Sequence, residues 1–143
     1  TLSIQFNDIT ELPESIGDLE NLKQLLANQN NLKTLPSSIG KLTQLEVLEL
    51  KFNSLESIPI EIANCENLKF IYLNRNNLKS LPEEMSQLSR LKELYLAEAG
   101  PLLQIPETFC EMRYLELLQI NAQIVVPTCM LVLKANRLRI ISQ

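Results

Sequence analysis

One interval organises this chain. Leu-Pro or Ile-Pro pairs stand at Leu12-Pro13, Leu35-Pro36, Ile58-Pro59, Leu81-Pro82 and Ile105-Pro106, with successive spacings of 23, 23, 23 and 24 residues. Asn7, Asn30, Asn53 and Asn76 keep the same step of 23. The frame Leu45-x-x-Leu48-x-Leu50-x-x-Asn53-x-Leu55 returns as Leu68-x-x-Ile71-x-Leu73-x-x-Asn76-x-Leu78. A period kept by several independent positions over more than four cycles restricts the fold to a stack of similar units. Each unit is too small to bury its apolar face alone and must lean on the next.

The residues in one cycle say how the unit is built. Alternation at Leu48-x-Leu50 is the two-residue period of a strand with one buried face. The Asn marks the exit from that strand, where an amide can bond backbone groups of its own turn and of the adjoining coil. The Pro fixes φ and removes one N–H as the chain enters the outer arc. Ile16, Leu19, Ile39 and Leu42 are expected to point inward from that arc.

Composition removes whole classes of function. Of 143 residues, 29 are Leu and 13 are Asn, 45% are hydrophobic and 21% charged, so intrinsic disorder is excluded. The chain has no histidine, which removes imidazole-based triads and ordinary zinc catalysis. A net charge of −4 is the wrong sign for a nucleic-acid or acidic-membrane footprint. No apolar run is long enough to span a bilayer, so membrane insertion is not expected. Neither a phosphate-binding Gly-rich loop nor a nucleophile elbow is present, no paired carboxylates occur at a useful spacing, and no metal or cofactor is expected. The reading is of a chain that is not an enzyme.

The three cysteines, Cys65, Cys110 and Cys129, are odd in number, widely spaced and without a CxxC pair. That pattern suits reduced thiols better than a disulfide framework. Cys65 falls at the position of Leu19, Leu42 and Leu88 and reads as a small core residue. Cys110 aligns with Gly17 and Gly40, and Cys129 is the thiol to watch for reactivity.

The repeat resembles the leucine-rich repeat family, in its 23-residue form LxxLPxxIGxLxxLxxLxLxxN, and the stretch Leu35-Pro36-Ser37-Ser38-Ile39-Gly40-Lys41-Leu42 lies close to that consensus. It is similar to plant intracellular Ras-group-related proteins, to Ras-pathway scaffold repeats and to bacterial leucine-rich repeat proteins. The resemblance implies an α/β fold, a right-handed solenoid or horseshoe with a parallel concave β-sheet and short helical, 3-10 or irregular convex arcs. Residues 1–143 then form a single array: a partial first coil over 1–11, coils starting at 12, 35, 58, 81 and 105, and an abbreviated last coil over 126–143. The array is read as part of a longer protein.

The departures from the period carry expectations of their own. Ala99 replaces the Asn and is followed by Gly100-Pro101-Leu102-Leu103, one residue more than in the sibling coils. Gln123 stands at the next equivalent position, so the ladder formed by Asn7, Asn30, Asn53, Asn76 and Asn136 is expected to break, and the turn between Ala97 and Gln104 to bulge. Leu131-x-Leu133-x-x-Asn136-x-Leu138 restores the strand frame only 13 residues after the previous one. Ten residues of outer arc are then missing from the last coil.

Residues between the core positions of each strand point away from the core and line up from coil to coil. Val47, Phe70, Glu93 and Leu117 make one column, and Glu49, Tyr72, Tyr95 and Gln119 a second. Lys51 and Asn74 belong to a third column, with Ala97. Arg75 joins Phe6, Phe52 and Glu98 in a fourth, at the strand exit. Adjoining aromatics with charged neighbours are the pattern of an interface core with a polar rim, although strands favour aromatics on any face. The expected function is protein recognition on the concave face, as a signalling scaffold or a bacterial effector or surface protein. The alternatives are the substrate-recognition repeats of a larger enzyme such as a ubiquitin-ligase effector, or a structural array that self-associates end to end. The expected partner is another protein, not nucleic acid. The expected setting is cytoplasmic, or the host cytoplasm for a delivered effector.

Overall fold

Each cycle of the sequence becomes one turn of a stacked coil. The computed structural model describes residues 1–134 and 138–142, and Asn136 lies outside the described residues. The described strands are β1 (Leu2–Ser3), β2 (Gln24–Leu26), β3 (Val47–Glu49), β4 (Phe70–Tyr72), β5 (Glu93–Tyr95), β6 (Leu117–Ile120) and β7 (Arg139–Ser142). They form one parallel sheet in chain order, β1-β2-β3-β4-β5-β6-β7. The register sets Leu25 beside Leu48, Leu48 beside Ile71, Ile71 beside Leu94 and Leu94 beside Leu118. Those five side chains are buried and form one wall of a core that runs the length of the stack.

The opposite wall comes from the arcs after each proline. Short 3-10 turns occupy Glu14–Asp18, Ser37–Lys41, Ile60–Asn64, Glu83–Gln87 and Glu107–Glu111. Each follows a Pro whose fixed φ already suits the turn, and whose carbonyl accepts the N–H of the residue three places on. That third residue, Ile16, Ile39, Ile62, Met85 or Phe109, is buried in every coil. Burying such a side chain stabilises the fold by about 2 kcal/mol. Leu42 and Cys65 are buried as the period requires, whereas Leu19, in the first arc, is 43% exposed. Cys65 donates its thiol proton to the Ile39 carbonyl, and burial pushes the thiol pKa up to about 12.

The asparagines satisfy the turns from inside. Asn53 Nδ2 donates to the carbonyls of Leu50 (3.1 Å) and Lys51 (3.4 Å) in its own coil and of Ala27 (2.9 Å) in the coil before. Its Oδ1 accepts the Leu32 N–H at 3.1 Å. Asn30 and Asn76 repeat the set, Asn30 on Ile4, Ala27, Asn28 and the Ile9 N–H, and Asn76 on Leu50, Leu73, Asn74 and the Leu55 N–H. The Asn7 side-chain amide, in the first coil, donates to the carbonyls of Ile4 and Gln5 in its own coil.

Each of these asparagines follows a residue in the left-handed region. Phe6, Gln29, Phe52 and Arg75 have φ between 55° and 57°, and Glu98, one coil on, has 59°. None is glycine, so each costs about 1 kcal/mol of backbone strain. The conformation turns the carbonyls of Gln29, Phe52, Arg75 and Glu98 toward the preceding coil, where the N–H groups of Asn7, Asn30, Asn53 and Asn76 donate to them.

The last coil differs from its sequence-based expectation. Residues Thr128–Lys134 form a helix, α1, on the outer side, and the strand that joins β6 is Arg139–Ser142. Leu117 pairs with Arg139, a step of 22, so the coil is almost full length and no ten-residue gap exists. Val126-Pro127 is a sixth proline entry to the outer arc. The Pro127 carbonyl accepts the Met130 N–H at 3.0 Å, and Met130 is buried as the successor of Phe109. Leu131, expected in a strand, stands exposed on the helix.

The expectation of three reduced thiols also fails. Cys110 and Cys129 form a disulfide, with Cα atoms 5.8 Å apart. Counted from the prolines, Cys110 is the fourth residue after Pro106 and Cys129 the second after Pro127. The same two places one coil apart are Gly17 and Ser38, or Gly40 and Glu61. A Cβ on Gly17 would lie 2.8 Å from Ser38 Cβ, and one on Gly40 2.9 Å from Glu61 Cβ. The stack brings adjacent coils so close here that the early coils use glycine and the last one is bridged by sulfur.

Candidate functional site

The outward-facing columns of β3 to β6 converge on a pair of tyrosines. Tyr72 and Tyr95 lie opposite one another in the register of β4 and β5, and their rings stack with centroids 4.5 Å apart at 18°. Parallel strands put directly opposed side chains in contact distance on one face, so the stack follows from register alone. The Tyr95 hydroxyl donates to Glu93 Oε2 at 2.6 Å, and that bond, ahead of burial and the Glu93 charge, pushes the Tyr95 pKa up to about 12. Tyr72 is also shifted upward, by burial first and then by the charges of Glu93 and Glu49.

On the strand-exit side the charges change. Lys51 Nζ sits 5.1 Å from the centre of the Tyr72 ring, and the Arg75 guanidinium 5.0 Å from that of Phe52. Arg75 also pairs with Glu98 at 3.2 Å, between two exposed side chains. Asn74 Nδ2 donates to Gln119 Oε1 at 2.7 Å, reaching from β4's exit to β6. Under that bridge the column holds only Ala97, which is buried. The small side chain leaves a hollow of about 420 Å³, lined by Lys51, Tyr72, Asn74, Tyr95 and Gln119, with Phe52, Arg75, Ala97 and Glu98 completing it.

Of the residues that the sequence assigns to this face, Lys51, Tyr72, Asn74, Arg75, Tyr95 and Gln119 meet in the hollow. Val47, Glu49, Phe70 and Glu93 lie beside it on β3, β4 and β5, half-buried. Leu117 does not contribute as expected, because it is buried with 7% exposure. The sequence reading placed Ala97, Phe52 and Glu98 in the third and fourth columns without picking out the hollow that they complete. Ala97 carries the one available signal, a small residue in a column that otherwise holds long polar side chains.

A second depression, of about 570 Å³, lies along the edge where the strands begin, with Lys69, Arg90, Lys92, Tyr114 and Glu116 around it. Its cations are already engaged: Lys69 with Glu46 at 2.6 Å, Lys92 with Glu116 at 3.8 Å and Arg90 with Asn67 at 2.6 Å. Among the described residues no group of acidic and cysteine side chains is placed to hold a metal ion. No described helix is long and apolar enough to cross a membrane.

Comparison with known proteins agrees with this architecture. The leucine rich repeat family matches residues 43–98. Among solved structures, a leucine-rich repeat protein of Leptospira interrogans superposes with a TM-score of 0.74 at 28% identity, over 98% of this chain and 41% of that one. The PEPR1–AtPEP1 structure superposes with a TM-score of 0.83 at 31% identity, over 98% of this chain and 20% of that one. The leucine-rich repeat ectodomain of the receptor kinase SOBIR1 from Arabidopsis thaliana gives 0.68 at 26% identity, over 82% of this chain and 67% of that one. The chain thus spans less than half the length of the first two. No match was found among curated proteins. With coils of about 23 residues, a parallel sheet in chain order and a family match over residues 43–98, the chain has the leucine-rich repeat horseshoe fold.

Proposed function

We propose that this array is a recognition module that binds another protein on its concave wall, centred on Tyr72 and Tyr95. The observation that carries the reading is the stacked tyrosine pair, half-buried beside an open hollow and flanked by charges of both signs. Aromatic anchors with a polar rim are what interface hot spots are made of. The coils supply the mechanism. A wall whose turns are bonded from inside by Asn30, Asn53 and Asn76 loses little backbone freedom on docking. Leucine-rich repeats commonly serve protein–protein interaction, and the structural neighbours include a receptor kinase ectodomain.

The finer setting is a scaffold in a signalling pathway, or an effector or surface protein. The Cys110–Cys129 bridge favours a compartment where disulfides persist, over the cytoplasmic setting that the odd cysteine count suggested. Capture of partners on the immobilised chain, followed by mass spectrometry, tests the reading against a Tyr72→Ala plus Tyr95→Ala variant. Losing a hot-spot aromatic costs about 2 kcal/mol, or roughly 30-fold in affinity. A double variant that keeps every partner of the parent chain would place the binding surface elsewhere.

A further inference from the structure

The open edge of the amide bridge has a definite polarity. Asn74 gives one N–H to Gln119 Oε1, which leaves Asn74 Oδ1 as an acceptor and Gln119 Nε2 as a donor, neither with another partner among the described residues. A peptide group offers the complement, one N–H and one C=O. Beside this edge the charges are unequally occupied. Arg75 is paired with Glu98, the Tyr95 hydroxyl donates to Glu93, and Asn28 donates to Glu49. Lys51 has no carboxylate within ion-pair distance among the described residues, and its ammonium rests over the Tyr72 ring. Among the described residues the hollow therefore holds one cation without a counter-charge, seated against an aromatic ring and able to donate a charge-assisted hydrogen bond.

On the reading of the concave wall as the binding face, we infer that the hollow over Ala97 takes an extended peptide segment with a single acidic side chain. Its backbone amide meets Asn74 and Gln119, its carboxylate meets Lys51, and its apolar neighbours cover the exposed parts of Tyr95 and Phe52. The isolation of the acidic residue follows from the surroundings. Glu49, Glu93 and Glu98 ring the site and the whole chain carries −4, so a run of acidic residues or a phosphate backbone is repelled where one carboxylate is welcomed.

Selection of a phage-displayed random dodecapeptide library on the folded chain tests this. The parent chain is expected to enrich peptides with one Asp or Glu beside apolar residues. Lys51→Arg keeps that preference. Lys51→Glu, checked for an unchanged circular dichroism spectrum, weakens the selected peptides by roughly 10- to 100-fold and selects Lys- or Arg-bearing peptides in their place. Failure to enrich any peptide, enrichment of basic or polyacidic ones on the parent chain, or indifference to Lys51→Glu overturns the inference. The two readings separate cleanly. If binding is lost in the Tyr72→Ala plus Tyr95→Ala variant but unmoved by Lys51→Glu, the wall stands and the acidic-peptide inference falls. Peptides that survive both changes sink the two together.

Discussion

The carbonyl of Ala99 accepts the N–H of Leu78 at 2.8 Å, the bond that an asparagine Oδ1 supplies to Ile9, Leu32 and Leu55 in the earlier coils. The Ala99 N–H donates to Leu96 O at 2.8 Å, as an asparagine Nδ2 does to the carbonyl three residues back. The main chain thus takes over where the side-chain ladder stops. To do so it runs against the neighbouring coil: a Cβ on Gly100 would stand 1.9 Å from Leu78 O. The extra residue is absorbed by Leu102, at φ 55° and 75% exposed.

Gly100→Ala is accordingly expected to destabilise the array by about 3 kcal/mol, the upper end of overpacking costs, because the clash is with rigid backbone. Urea unfolding followed by circular dichroism measures it. A change below about 0.5 kcal/mol, the size of an ordinary surface substitution, would mean that the two coils are not in contact there.

Asn53→Ala removes one acceptor and donors to three carbonyls at once. Its expected cost is about 3 kcal/mol, set by leaving half-buried backbone groups unpaired. Asn7→Ala, whose amide touches only its own coil and is exposed, is expected to cost less than about 1 kcal/mol. Equal effects in the same urea titration would contradict a ladder that ties coil to coil.

The Cys110–Cys129 bridge holds α1 against the 3-10 turn at Glu107–Glu111. Reduction is expected to lower stability by about 3 kcal/mol, the chain-entropy value for a short loop, and a Cys110→Ser plus Cys129→Ser variant should show no further loss with reductant. Iodoacetamide labelling of the reduced, folded chain is expected to reach Cys129, which is exposed, and to spare Cys65, whose thiol is buried and titrates near 12. Labelling of Cys65 before unfolding would mean that its coil opens locally.

Tyr95 provides a pH test. Its phenol is held protonated by the bond to Glu93, so the folded-state pKa, about 12, exceeds the ordinary value of 10.0. The associated stability is complete below pH 10 and is lost as pH rises from there through about 12. Ultraviolet difference titration should show Tyr72 and Tyr95 both ionising above the ordinary range, and Glu93→Gln should bring Tyr95 back toward 10.0. An unmoved titration would mean that Glu93 is not its partner.

What was legible in the sequence was whatever repeats. The strand, the inward apolar residue after each proline and the Asn ladder recur about 23 residues apart, so several weak local signals reinforce each other at the same places. The columns could be drawn for the same reason, because a parallel register without slippage makes sequence alignment equivalent to spatial adjacency. The last coil was misread because Leu131 and Leu133 mimic the Leu-x-Leu of a strand, while the better clue, Val126-Pro127, arrives 21 residues after Ile105-Pro106. Locating that proline would also have set Cys129 beside Cys110.

The amino-acid order alone determined the coil, its period and the face turned to solvent, since these depend on interactions within one cycle or between identical positions of neighbouring ones. Tertiary structure decided what breaks the repeat: the Ala99 main chain acting for an amide, the sulfur bridge and the hollow over Ala97. Each arises from contacts between unlike residues in different coils, where distance is set by how closely two backbones approach and no periodic signal records it.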